Sequence, residues 1–160
     1  MTTKTNAVRV LERAGIAFEL REYLYDEATF SAEDAAQQVG MPADAVFKTL
    51  VLNDDRSGHL FALIPASTEL DLRTLAQAAG HKRVQMAPQR AVQALTGYLR
   101  GAVTVLAAKH AFPVFIDETV ELWSQVGISG GAHGLEIVLA PADLLRITGA
   151  QMADIARAPD

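Results

Sequence analysis

Two β-rich runs, Val46-Phe47-Lys48-Thr49-Leu50-Val51-Leu52 and His59-Leu60-Phe61-Ala62-Leu63-Ile64-Pro65, face each other across Asn53-Asp54-Asp55-Arg56-Ser57-Gly58. A short polar turn between two apolar, β-branched runs reads as an antiparallel hairpin. A chain that turns back on itself here does not follow the strand–helix–strand alternation of a doubly wound sheet. The remaining strands and helices are short and irregularly interleaved, with no repeat, linker or low-complexity tract. The expectation is an α+β fold in one domain, residues 1–160, with a curved or closed sheet.

Helix signals punctuate the rest. Asn6 to Ala14 has an apolar stripe and Gly15 behind it, and Ser31 opens a helix that Gly40 closes. Pro42 starts a short turn through Ala45. Asp71 caps a helix ending at Gly80, with Leu72, Leu75, Ala76 and Ala79 expected on its buried side. Pro88 starts a helix through Leu95, Glu118 to Gln125 reads as a helical turn, and Pro141 opens a helix ending near Gly149. Strands are expected at Ala17 to Leu24, Arg83 to Met86, Phe112 to Ile116 and from Leu135 to Leu139, with a last short element over Gln151 to Ala156.

Composition removes several kinds of chemistry. The chain has no cysteine, which excludes disulfides, thiolate metal sites and a cysteine nucleophile together. No apolar run is long enough to cross a bilayer, and Met1-Thr2-Thr3-Lys4-Thr5 has no signal-peptide core, so a cytoplasmic location is expected. A net charge of −5 argues against gripping nucleic acid by counterion release alone. The basic residues Lys82-Arg83, Arg90, Arg100 and Lys109-His110 collect in the middle third.

The stretch Gly127-Ile128-Ser129-Gly130-Gly131-Ala132-His133-Gly134 places four of the 11 glycines within eight residues, just before an apolar strand. Two readings stand side by side: an ordinary hairpin turn, or a nest of backbone amides for a carbonyl, carboxylate or phosphate oxygen. Lys48 is likewise either an outward edge-strand lysine or a cation aimed at such an oxygen. Thr49 next to it points to the opposite strand face. Gly97-Tyr98-Leu99-Arg100-Gly101 is a tight loop around an aromatic and a base. His133 and His110 lie near glycine-rich or basic segments, whereas His59 and His81 look incidental. There is no metal-binding spacing, nucleophile elbow, phosphate loop or dinucleotide fingerprint. A carbonyl-binding loop with one lysine and no protein nucleophile suits hydrolysis of an activated ester, with water or the substrate itself as the attacking group.

Val46 to Leu50, Thr96 to Gly101 and Ile128 to Ile137 together resemble the three signature segments of the YbaK family. These are small aminoacyl-tRNA deacylases related to the editing domain of bacterial prolyl-tRNA synthetases. The resemblance covers nearly the whole chain and is strongest to the branch acting on Cys-tRNA(Pro) and Cys-tRNA(Cys). It implies a curved, barrel-like mixed sheet surrounded by short helices, and a pocket for the 3′-terminal adenosine and its amino acid. Lys48 then matches the lysine required for deacylation, and Gly130 and Gly131 match a pair presenting amides to the ester carbonyl. Gly97, Tyr98 and Gly101 match another wall. Ser129 falls at a pocket-lining position, Glu136 at an acidic one, and Tyr23 and Phe30 where N-terminal pocket residues are expected. Thr49 accompanies Lys48 in the site. The resemblance further implies no cofactor, a substrate thiol that closes on its own ester, and a complex with prolyl-tRNA synthetase.

Two positions depart from the family pattern. Gly101-Ala102-Val103-Thr104-Val105-Leu106-Ala107 replaces Gly-x-x-Ser-Pro-x-Gly, which is expected to reshape the pocket floor. His133 stands where the cysteine branch commonly has arginine, and alanine-editing relatives use a histidine near the glycine pair to place the carbonyl. Ala-tRNA(Pro) is therefore the alternative substrate, and a non-catalytic module binding a nucleotide or aminoacyl ligand is the alternative function.

Overall fold

The structure is a computed structural model that describes residues 4–160. Residues 1–3, part of the segment read for a signal peptide, lie outside the described residues. In chain order the elements are α1 (Asn6–Arg13), β1 (Phe18–Glu22), α2 (Ala32–Gln38), a 3-10 turn (Ala43–Ala45), β2 (Phe47–Asp54), β3 (His59–Pro65) and β4 (Glu69–Leu70). They continue with α3 (Leu72–Ala79), β5 (Val84–Met86), α4 (Gln89–Thr96), β6 (Val114–Asp117) and a second 3-10 turn (Glu118–Leu122). The last are β7 (Val126–Ser129), β8 (Leu135–Leu139), α5 (Pro141–Thr148), β9 (Gln151–Ala153) and β10 (Ala156–Arg157).

The helix starts follow their capping chemistry. Thr5, Ser31 and Asp71 accept backbone N–H groups at the first turns of α1, α2 and α3, satisfying donors that a helix leaves orphaned. The β2–β3 hairpin forms as expected, and its register sets Lys48 opposite Ile64 and Leu52 opposite Leu60.

The full sheet is mixed, in the order β5-β2-β3-β6-β9, because β3–β6 and β6–β9 pair in parallel. A second, antiparallel sheet has the order β1-β8-β7, and a single parallel bridge from Val46 to Gly127 joins the two. The short β4–β10 pair completes the described strands.

Strand alternation divides the core. Phe47, Val51, Phe61, Leu63 and Ile116 face α1 residues Ala7, Val8 and Leu11 and the second sheet's Ile128, Ile137 and Leu139. Leu52, Leu60, Ala62, Ile64 and Phe115 face the other way, onto Leu75 and Ala76 of α3 and Ile155. Each fully buried Leu, Ile or Phe contributes about 1.5–3 kcal/mol. Leu72 departs from its expected place: at the first turn of α3 it overhangs the cluster and is 38 % exposed. Asp117 is buried at the end of β6, where its carboxylate accepts the N–H groups of Thr119, Ile155 and Ala156 and the Thr119 hydroxyl. It thereby fixes the last strands to the sheet.

Candidate active site

The site arises where β2 changes partners along one edge. Asp54 N–H bonds to Gly58, and Ala66 N–H to Val46, so the even-numbered residues of β2 turn their backbone groups toward β3. The odd-numbered ones face the other way: the Val51 carbonyl accepts Ala87 N–H, and Asn53 is registered with Gln85 of β5. At Val46 the same edge meets β7. Between these contacts no strand flanks β2 among the described residues, and Thr49, whose register turns its amide and carbonyl away from β3, lines a cavity of about 250 Å³.

Tyr23, Phe30, Lys48, Thr49, Gly101, Ser129 and Glu136 all line this cavity, so the structure brings together residues drawn from four separate segments. Most of the remaining wall is apolar, from Ala35, Val46, Met86, Val92 and Val103. Lys48 is half-buried, and its Nζ lies 3.5 Å from the Ala66 carbonyl. Burial lowers its pKa, and the acidic Glu33 and Glu69 partly offset that effect.

Glu136 is the deepest polar group, with 4 % of its surface exposed. Its Oε2 has no hydrogen-bond partner among the described residues. Arg21 stands opposite it on β1, but the guanidinium bonds to the Val39 carbonyl and to Glu19. Burial alone therefore pushes the Glu136 carboxyl up to about 8, so at neutral pH it is largely protonated. Burial, and then the Glu136 charge, push the Tyr23 phenol up to about 12.

The glycine pair does something other than line the cavity. Gly130 N–H donates to the Leu135 carbonyl at 2.9 Å, and its own carbonyl accepts the Thr5 hydroxyl at 2.7 Å. Gly131 N–H donates to Ser129 Oγ at 3.2 Å. Both amides are thus used inside the hairpin, as in the plain-turn reading of this stretch. Tyr98 packs behind it, with its hydroxyl on the Leu106 carbonyl, and Gly97 caps α4. His133 lies at the rim, with its ring parallel to that of Tyr25 and Nε2 donating to the Arg100 carbonyl at 2.7 Å. Tyr25 escaped sequence reasoning, because it belongs to no periodic or glycine-rich pattern of its own.

The substituted loop keeps its turn. Thr104 Oγ1 accepts Leu106 N–H at 3.3 Å, and Ala107 adopts φ 57°, the left-handed conformation that suits the missing glycine. Val103 forms part of the cavity wall. His81 is not incidental: it sits between Asp54 and Asp55, 3.4 and 2.8 Å from their carboxylates, and pins the hairpin turn to the end of α3.

An apolar cavity holding a neutral carboxyl, a desolvated ammonium and an open strand edge suits a small polar ligand with its own amine and carbonyl. Comparison with known sequences agrees, since the profile described as "Aminoacyl-tRNA editing domain" matches residues 26–147. The chain belongs to this family.

Among its relatives is EbsC of Enterococcus faecalis, described as a candidate Cys-tRNA(Pro)/Cys-tRNA(Cys) deacylase. It is 37% identical over 152 residues, covering 95% of this chain and 93% of that protein. The Escherichia coli multifunctional Ser/Thr-tRNA deacylase ProXp-y is 24% identical over 159 residues, covering 97% and 93%. Among solved structures, one described as a candidate trans-editing enzyme for prolyl-tRNA synthetase superposes with a TM-score of 0.83 at 27% identity, covering 98% of this chain and all of that one. A hypothetical protein at 24% identity gives a TM-score of 0.86 and supports the fold alone. The YbaK-type editing fold and the aminoacyl-tRNA deacylase family are thereby assigned.

Proposed function

We propose that the protein hydrolyses mischarged Cys-tRNA(Pro), and Cys-tRNA(Cys) as well, holding the amino acid and the terminal adenosine in the cavity. The observation that carries this is Glu136, a buried carboxyl with an unpartnered oxygen in the same cavity as the half-buried Lys48. The α-amino group of an aminoacyl ester suits that oxygen: an ammonium entering the cavity would draw Glu136 into its ionised form and release a proton. With the Gly130 and Gly131 amides engaged in the hairpin, polarisation of the ester carbonyl is assigned instead to the open N–H of Thr49, with Lys48 as the cation of the site.

For cysteine, the substrate's sulfur attacks its own ester carbon. A C–S bond forms, the C–O bond to the ribose breaks, and the thiol proton ends on the released 3′ oxygen; water then opens the resulting thiolactone at its C–S bond, giving free cysteine. The protein then needs only to position and polarise, which proximity makes sufficient. His133 favours this over the alanine reading, because its imidazole bonds to Arg100 at the rim and does not reach a carbonyl in the cavity. Delivery by prolyl-tRNA synthetase in the cytoplasm fits the acidic net charge of −5, which gives little independent grip on a tRNA body.

The test is release of cysteine from Cys-tRNA(Pro) beside Ala-tRNA(Pro), with Lys48→Ala as the control. Lys48→Ala is expected to abolish release while the circular dichroism spectrum stays unchanged. Wild-type rates in that variant would refute the site, and faster release of alanine would refute the cysteine assignment.

A further inference from the structure

Four rings run from the cavity to the surface. Tyr23 and Phe30 line the cavity with centroids 6.2 Å apart, and Phe30 meets Tyr25 at 5.1 Å. Tyr25 in turn stacks on His133 at 3.8 Å with planes 4° apart. This concentration occurs in a chain with only 6 % aromatic residues. The outermost ring is exposed and held at two points. Tyr25 packs against one of its faces, and the Nε2 hydrogen bond to Arg100 fixes its rotation. Tyr25 is wedged in turn over Gly101, where a Cβ would stand 2.9 Å from its ring.

A cavity of about 250 Å³ is smaller than the ~300–1,000 Å³ of common ligand pockets. It holds one nucleotide with its amino acid at most, and the next base must lie outside it, at the rim. Electrostatics gives that base little hold. The exposed acids Asp26 and Glu27 follow Tyr25 directly, and Arg100, whose carbonyl holds His133, is a cation of the cavity lining. Stacking does not depend on charge, and splayed single-stranded bases are bound by stacking on aromatic side chains, His among them. Exposed Leu24 and Leu99, neighbours in sequence of Tyr25 and Arg100, add apolar surface to these two rim segments.

We infer that the His133–Tyr25 pair is a base platform, stacking the nucleobase that precedes the terminal adenosine as a single-stranded RNA 3′ end leaves the cavity. This rests on the proposed function in one respect, that the terminal adenosine occupies the cavity.

The test uses an uncharged CCA trinucleotide with 2-aminopurine as its middle base, whose fluorescence is quenched on stacking. The wild-type protein is expected to quench it. His133→Ala should leave it bright and bind about tenfold more weakly, and His133→Phe should restore quenching. A middle base that stays bright with the wild type, or that His133→Ala quenches equally, would overturn the platform. Quenching by a wild-type protein that hydrolyses no charged tRNA would support the platform and retire the proposed function, so the two fail separately.

Discussion

Glu136 Oε2 and the Cα of Gly127 face each other across β8 and β7 so closely that a Cβ at residue 127 would stand 3.2 Å from the oxygen. Met41 Sδ and Val46 Cγ2 crowd the same point at 3.1 and 3.3 Å, and the carboxyl oxygen has no donor among the described residues. Its pKa rises from 4.5 to about 8 on folding, so between those values the folded chain binds more protons than the unfolded one. Stability is then highest below about pH 4.5 as far as this group is concerned, and it is lost as the pH rises toward 8, by at most about 1.4 kcal/mol per unit. Urea titrations of the wild type at pH 5 and pH 8 should show this loss, and Glu136→Gln should flatten it. Equal slopes in the two proteins would mean that Glu136 does not carry the effect.

Gly130 is expected to matter through packing. An alanine there would place its Cβ 2.7 Å from Leu135 Cγ and 3.1 Å from the Leu135 carbonyl, so the hairpin must shift. Gly130→Ala should lower stability by about 1–3 kcal/mol, the usual range for overpacking. Deacylation should fall in step with it. A variant of wild-type melting temperature with no activity would instead point to the amide itself.

Ala107 carries a left-handed backbone at φ 57°. Relieving that strain with Ala107→Gly should add about 1 kcal/mol, since the steric penalty removed exceeds the entropy added to the unfolded chain. Thermal melts decide it, and a lower melting temperature would mean that the methyl group's packing outweighs the strain.

Asp117→Ala removes the acceptor for three backbone N–H groups and a hydroxyl at once. A loss of about 3 kcal/mol or more is expected, because unsatisfied buried donors cost about 1–3 kcal/mol each. Amide exchange should accelerate first at Ile155 and Ala156. Protection there equal to the wild type would show that the carboxylate is not what holds the final strands.

The parts of this molecule that can be read from its sequence are those fixed by neighbours in the chain. The Asn53–Gly58 turn, the caps at Ser31 and Asp71 and the stop at Gly80 each act within a few residues, and each stands where its chemistry puts it. The parallel pairings of β3 with β6 and β6 with β9 were not legible, since no local pattern records which distant strand will lie alongside. Lys48 and the segment ending at Gly101 stood out by residue type, whereas Tyr23, Phe30 and Glu136 were reached only through the resemblance to a family. How those residues use their hydrogen bonds was hidden altogether: the Gly130 amide bonds to Leu135, and His133 belongs to Tyr25 and Arg100 at the rim. Glycine content signals where a backbone is free of side chains, not what its amides will meet.

Among the described residues β1 pairs only with β8, Phe18 against Leu139 through Glu22 against Leu135. On the ribosome, the first strand to emerge must therefore wait for one of the last before it has a partner, and the wall carrying Glu136 closes only then. A partly made chain exposes an unpaired edge but contains no complete cavity, so hydrolytic competence cannot precede release of the C-terminal third. Quality control of translation by this protein begins only once its own β8 has been translated.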